Sequence, residues 1–294
     1  DLKVSVKDRI VADAANRAGD SYFMLKNYEQ ALKFYDQAIT LNLVDPDYAT
    51  FQKAFCLGLL KKPEQKVEFM EKLISNYPTS AYVDDAVFEI AETWSSKEEH
   101  NKAVPYYERI VSEFSNSSYM KKSLLQLGLI YYNNDKDEKA LEMYKQFVND
   151  YKGTNEAKNA LNGIKNIYVE KNDIDGYMKY VETLGGAVTV TQSGQDSLTY
   201  LAGEDAYMKG ECNKVIDIFT SYLYKFPDGI FNLNALYYCA DCYIRINSLD
   251  SAKSCYQTII AKPRNVYTEA SLFNVSKIYF DGKDYENALK SYQR

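Results

Sequence analysis

Apolar and polar positions along this chain follow the period of short amphipathic helices, and the helices come in twos. Residues 14–39 read A-A-N-R-A-G-D-S-Y-F-M-L-K-N-Y-E-Q-A-L-K-F-Y-D-Q-A-I, which predicts two helices joined by a tight turn. Gly19 and Ala31 are expected where the two helices cross, because an interaxial distance of about 8–10 Å admits only small side chains there. Tyr22 and Tyr35 follow three and four residues later on the same faces, filling the space beside the crossing. When buried, each needs a partner for its hydroxyl. Asn27 with Gln30 reads as an N-cap and capping box that restarts the second helix. Helices this short are marginal alone in water, so a pair requires neighbours.

The neighbours are visible as internal repeats. Positions equivalent to Ala31 recur at Lys66, Ala103, Ala140, Gly176, Val215, Ala252 and Ala288, at intervals of 35, 37, 37, 36, 39, 37 and 36 residues. The small residue of the first helix recurs as Ala54, Ala91, Gly128, Gly203, Ala240 and Ser276, and Tyr35 has counterparts in Tyr107, Tyr144, Tyr256 and Tyr292. Copies two, five and six depart from the pattern. Lys66 stands in a small position, Lys165 replaces glycine, and Tyr207 is displaced by one.

A period near this length with G/A-x-x-Y followed by A-x-x-x-Y/F resembles the tetratricopeptide repeat family, over almost the whole chain and in eight copies. The resemblance implies an all-α, right-handed superhelix of about eight helix pairs, a solenoid stabilised by contacts between successive repeats. Residues 1–186 are expected to hold repeats one to five and residues 196–294 repeats six to eight, the last truncated. Residues 187–195 form a linker loop in this scheme, since Gly185–Gly194 is rich in Gly, Thr and Ser and lacks a helical period. That loop is either a spacer or a hinge.

Repeat boundaries share a connector: Tyr77-Pro78-Thr79-Ser80, Phe114-Ser115-Asn116-Ser117 and Phe226-Pro227-Asp228-Gly229. Such connectors resemble those of bacterial cell-envelope tetratricopeptide proteins, of the Tol-Pal-associated, outer-membrane assembly lipoprotein and Bacteroidetes types. This implies an envelope location on the periplasmic side, with the cytoplasm as the alternative. In arrays of this family the first helix of each repeat lines a concave groove. Carried over, the groove positions are Asn16 and Asp20; Phe51 and Phe55; Phe88 and Glu92; Leu125, Leu129 and Tyr132; Asn162 and Asn166; Tyr200 and Glu204; Tyr237 and Asp241; and Phe273, Lys277 and Phe280. A subtype that grips chaperone C-terminal carboxylates through Lys and Asn is disfavoured, because Asp20, Phe51, Phe88 and Leu125 replace the basic set.

Composition narrows the function classes. The 28 tyrosines need no ligand to explain them, since about a third fill repeat positions. A net charge of −6 argues against nucleic acid as the main partner. No apolar run reaches the roughly 18 residues of a membrane span. The single histidine, His100, falls in a polar turn and is expected to be solvated. Cys239 and Cys242 have CxxC spacing but sit within a helix astride Ala240, so packing explains them better than redox or zinc chemistry, with Cys56 and Cys212 in other repeats. No catalytic, metal or cofactor site is expected. Both ends read as cut, so uncapped ends offer self-association. The expectation is a non-enzymatic scaffold whose groove takes a protein or peptide segment; the alternative is a structural spacer or self-assembly segment of a larger multi-repeat protein.

Overall fold

The computed structural model describes residues 5–186 and 189–294. Among them are sixteen helices and no strand: α1 (Val6–Met24), α2 (Tyr28–Leu41), α3 (Pro46–Leu59), α4 (Pro63–Asn76), α5 (Val83–Ser96), α6 (His100–Glu113), α7 (Met120–Asn133), α8 (Asp137–Asp150), α9 (Asn155–Glu170), α10 (Ile174–Thr183), α11 (Gln192–Met208), α12 (Cys212–Lys225), α13 (Asn232–Arg245), α14 (Leu249–Ala261), α15 (Thr268–Asp281) and α16 (Tyr285–Tyr292). These are the eight helix pairs expected from the sequence. They fall into two compact units, Asp1–Lys152 with α1–α8 and Gly153–Arg294 with α9–α16. The division by packing thus lies ahead of the 187–195 linker. Ala187 and Val188 of that linker lie outside the described residues, and residues 192–195 are helix rather than loop. Thr191 is the reason, since its Oγ1 accepts the Gly194 N–H at 3.1 Å and starts α11.

Each pair is closed by one backbone device. A single left-handed residue precedes the N-cap of every second helix: Lys26, Lys61, Glu98, Asp135, Asn172, Gly210, Asn247 and Lys283, with φ between 54° and 76°. It lets the next N–H reach back to the preceding helix, as Asn27 N does to Tyr22 O and Glu99 N to Trp94 O. Only one of the eight is glycine, so this turn is hidden from a reading by residue type. Asn27 Oδ1 accepts the Gln30 N–H at 3.3 Å, which is the capping half of the expected box. The reciprocal box forms instead at α1, between Ser5 and Asp8.

Inside each pair the ring rests on the small residue itself rather than beside it. A Cβ on Gly19 would come within 2.6 Å of the Tyr35 ring, one on Gly128 within 2.4 Å of Tyr144, and one on Gly203 within 2.3 Å of Phe219. Tyr35, Tyr107 and Tyr256 are fully buried at this position. Copy two solves its substitution locally: Lys66 lies over Gly58, where a Cβ would meet its Cδ at 2.9 Å, and its Nζ pairs with Glu89 at 2.5 Å. In copy five, Gly176 serves the helix start rather than a crossing, donating its N–H to Asp173 Oδ1 at 2.9 Å.

Candidate protein-binding faces

Among the residues that the sequence assigns to a groove on the first helices are carboxylates and aromatic rings. Most of the carboxylates are already engaged. Asp20 accepts from the hydroxyls of Tyr35 at 2.7 Å and Tyr48 at 2.8 Å; Glu92 accepts from Tyr107 at 2.6 Å and pairs with Lys122 at 2.5 Å. In the second unit Glu204 accepts from Tyr200 at 2.8 Å and Asp241 from Tyr207 at 2.9 Å. These bonds give the buried tyrosines the hydroxyl partners they require. Burial first, then the neighbouring carboxylate, pushes the Tyr35, Tyr107 and Tyr200 phenols far above their ordinary value, and that of Tyr207 up to about 12.

The rings form stacks between successive repeats. Phe51 lies on Tyr82 (centroids 5.4 Å, planes 21°), Phe88 on Tyr119 (4.1 Å, 12°), Tyr200 on Phe231 (4.2 Å, 9°) and Tyr237 on Tyr267 (4.5 Å, 21°). In every stack the second ring belongs to the N-cap residue of the next first helix, α5, α7, α13 or α15. An aromatic side chain cannot cap. The residue two before supplies an oxygen instead, from Ser80 and Ser117 at 3.2 Å and from Asn265 at 3.0 Å to the ring residue's own N–H. At Phe231 the oxygen is the Tyr222 hydroxyl at 3.2 Å. The position two before is there Gly229, whose Cβ would stand 2.4 Å from that hydroxyl.

Stacking redistributes the expected groove residues. Phe88 and Tyr200, at 5% and 4% exposure, are buried and belong to the inter-repeat core, because Tyr119 and Phe231 cover them. Asn16 is buried as well, its Nδ2 donating to Val44 O at 3.0 Å. Phe51, Phe55, Leu125, Tyr132 and Tyr237 are half-buried. Leu129, Phe273 and Phe280 stand open at 48%, 59% and 55%. In the first unit, Phe51 and Phe55 adjoin on α3 at 6.1 Å, and Leu125, Leu129 and Tyr132 share α7. In the second, Phe273 and Phe280 lie on α15 against Tyr292 and Tyr285.

His100 opens α6 and is half-buried rather than solvated, its Nδ1 shielded from solvent without a hydrogen-bond partner. Cys239 and Cys242 are buried on α13, as packing residues would be. Burial pushes the Cys242 thiol up to about 12 and that of Cys239 higher still. The structure also brings Cys212 of the preceding pair against this cluster, which the separation along the chain concealed. Among the described residues no group of three or more His, Cys, Asp or Glu is placed to hold a metal ion, and no helix is long and apolar enough to cross a membrane.

Stacked helix pairs with side chains aligned along their first helices define a helical-repeat protein. Residues 12–42 match the tetratricopeptide repeat family, and residues 48–80 and 122–154 match a second model of the same description. Those three segments are tetratricopeptide repeats, and all but residues 153–154 of them lie in the first unit. No curated protein sequence matches it. Among solved structures, a chain of a complex bound to HypK-THB shares the fold with a TM-score of 0.56 at 11% identity, over 96% of this chain and 41% of that one. This chain therefore spans less than half of that relative's length. The MamA protein aligns over 58% of this chain and 88% of its own at 16% identity and a TM-score of 0.44. A tetratricopeptide repeat protein from Parabacteroides merdae aligns over 84% and 91% at 12% identity and a TM-score of 0.40.

Proposed function

We propose that this chain is a non-enzymatic scaffold that holds a protein or peptide segment against its first-helix faces, as part of a bacterial envelope complex on the periplasmic side. One observation carries the binding role. After stacking has covered Phe88 and Tyr200, the first helices still leave Phe55 half-buried, and Leu129, Phe273 and Phe280 open to solvent. Apolar side chains held on rigid helices beside fixed carboxylates are what a peptide-binding face needs, because neither partner loses much freedom on contact. The envelope location rests on the connectors alone. Peptides selected by display on the intact chain, followed by hydrogen exchange on the complex, test the binding role. Protection centred on α3 and α7, or on α15, is the expected footprint; protection confined to the second helices would overturn it.

A second reading, self-assembly, is favoured by a separate observation. Val6 and Ile10 are exposed on α1, and a cleft of about 490 Å³ opens between Ile260, Leu272, Phe273 and Tyr292. Light scattering across concentrations decides it: a rising mass that Ile10→Asp abolishes supports assembly, and a constant monomer mass contradicts it.

A further inference from the structure

Two successive inter-helix turns of the first unit hold apolar side chains out in solvent. Met24 and Leu25 close α1 at 79% and 75% exposure, and Leu59 closes α3 at 45%. Lysine follows in both turns, Lys26 in one and Lys61 with Lys62 in the other, all three exposed. Among the described residues none of the three is in an ion pair. The first turn of α2 holds Glu29 and that of α4 holds Glu64, which Lys97 already engages. Three cations therefore stand against Glu29 alone. Phe23, just before Met24, and Phe55, one turn before Leu59, lie 6.4 Å apart between centroids, so the two turns sit side by side on one edge of the unit. Both are fixed: Asn27 N–H donates to Tyr22 O and Lys62 N–H to Leu57 O, each at 2.9 Å. The pattern stops after these two turns. The equivalent residues are Ser96, Lys97 and Glu98 after α5, and Asn133, Asn134 and Asp135 after α7, polar throughout. The left-handed position does not call for lysine either, since Asp135, Asn172 and Gly210 fill it elsewhere.

We infer that the α1–α2 and α3–α4 turns dock the first unit on an anionic lipid surface. Met24, Leu25 and Leu59 enter the boundary between headgroups and acyl chains, while Lys26, Lys61 and Lys62 meet the lipid phosphates. The lysine stems add apolar contact below their ammonium groups. Charge complementarity selects the lipid: the chain as a whole carries −6, and this edge reverses that sign locally, so an anionic surface draws these turns in first. Shape favours a membrane over a protein. Side chains this exposed enclose nothing, so a folded partner would have to supply a matching cavity, whereas a fluid interface closes around them. Turns already fixed by backbone bonds lose little freedom on docking. This attachment is peripheral, and it goes beyond the peptide-binding role of the first-helix faces.

The test is flotation of the intact chain, with no peptide present, on vesicles of equimolar phosphatidylcholine and phosphatidylglycerol and on vesicles of phosphatidylcholine alone. The expected result is binding to the first kind only, weakened by salt. The triple variant Lys26→Gln, Lys61→Gln, Lys62→Gln is expected to lower the affinity by about tenfold or more. The triple variant Met24→Ser, Leu25→Ser, Leu59→Ser removes the apolar part and is expected to do the same. Its melting temperature should stay near that of the unsubstituted chain, because the three positions are exposed. A charge-matched control, Lys136→Gln, Lys152→Gln, Lys158→Gln, replaces exposed lysines elsewhere and should leave binding unchanged. Absence of binding to the anionic vesicles would overturn the proposal, as would equal binding to both kinds. An equal loss in the control would show diffuse attraction rather than docking by these turns, and would overturn it too. Capture of a polyglutamate probe by a chain that ignores vesicles would assign the edge to an acidic protein segment instead.

Discussion

Phe88 and Tyr119 lie face to face, 4.1 Å between centroids and 12° between planes, with one ring on α5 and the other at the start of α7. The phenol of Tyr119 then donates to Asp85 at 2.5 Å, back on α5. One ring pair therefore fastens two successive repeats by dispersion and by a hydrogen bond. Phe88→Ala removes that stack and the edge contact with Tyr107 at 6.2 Å. The expected cost is about 3–5 kcal/mol, read as a lowered urea midpoint and melting temperature. Leu129→Ala, at an open position, is expected to change stability by about 0.5 kcal/mol or less. The contrast, checked by parallel urea melts, separates the side chains that build the array from those available to a partner.

The left-handed turn residues give a prediction of the opposite sign. Lys26 and Lys61 hold φ of 58° and 59°, which strains a residue carrying a Cβ. Lys26→Gly and Lys61→Gly relieve that strain but free the unfolded chain. Each is expected to stabilise by about 0.5–1 kcal/mol net, whereas Gly210→Ala is expected to destabilise by a similar amount. Thermal melts of the three single variants check both directions.

Much of this architecture is legible in the sequence, and the limits have physical causes. Gly19 with Tyr35 and Gly128 with Tyr144 are legible as crossing residues because both partners sit at fixed helical spacings within one pair, although each ring rests on the glycine and not beside it. Helical spacing assigns Phe88 and Tyr200 to a groove, but the rings that cover them come from Tyr119 and Phe231. These lie thirty-one residues ahead and at N-cap positions, where helical periodicity gives no signal. A similar separation hides the packing of Cys212 against the cluster that holds Cys239 and Cys242. The left-handed turns escape notice because seven of the eight residues are not glycine. Copy two reads as degenerate at Lys66 because the compensating residue, Gly58, lies on the facing helix and makes room for the lysine side chain.

Alkaline pH probes the tyrosine–carboxylate bonds. In the unfolded chain phenols ionise near pH 10, while burial and then the bond to a carboxylate keep Tyr35 and Tyr107 protonated in the fold. Above that pH the unfolded state binds fewer protons than the folded one. Stability is therefore complete below about pH 10 and declines as pH rises further. Tyr106 and Tyr207, pushed up to about 12, place their share of the decline between pH 10 and 12. Tyr35→Phe is expected to lose about 1 kcal/mol at neutral pH and to show a shallower alkaline decline. Urea midpoints measured across this range check both.

The most direct measurement is the affinity of one selected peptide for the intact chain and for the Phe55→Ala, Leu129→Ala double variant, by isothermal titration calorimetry with melting temperatures alongside. If the first-helix face is the binding surface, affinity falls by tenfold or more, about 1.4 kcal/mol, while the melting temperature stays close to that of the unsubstituted chain. An unchanged affinity in a folded double variant would contradict it.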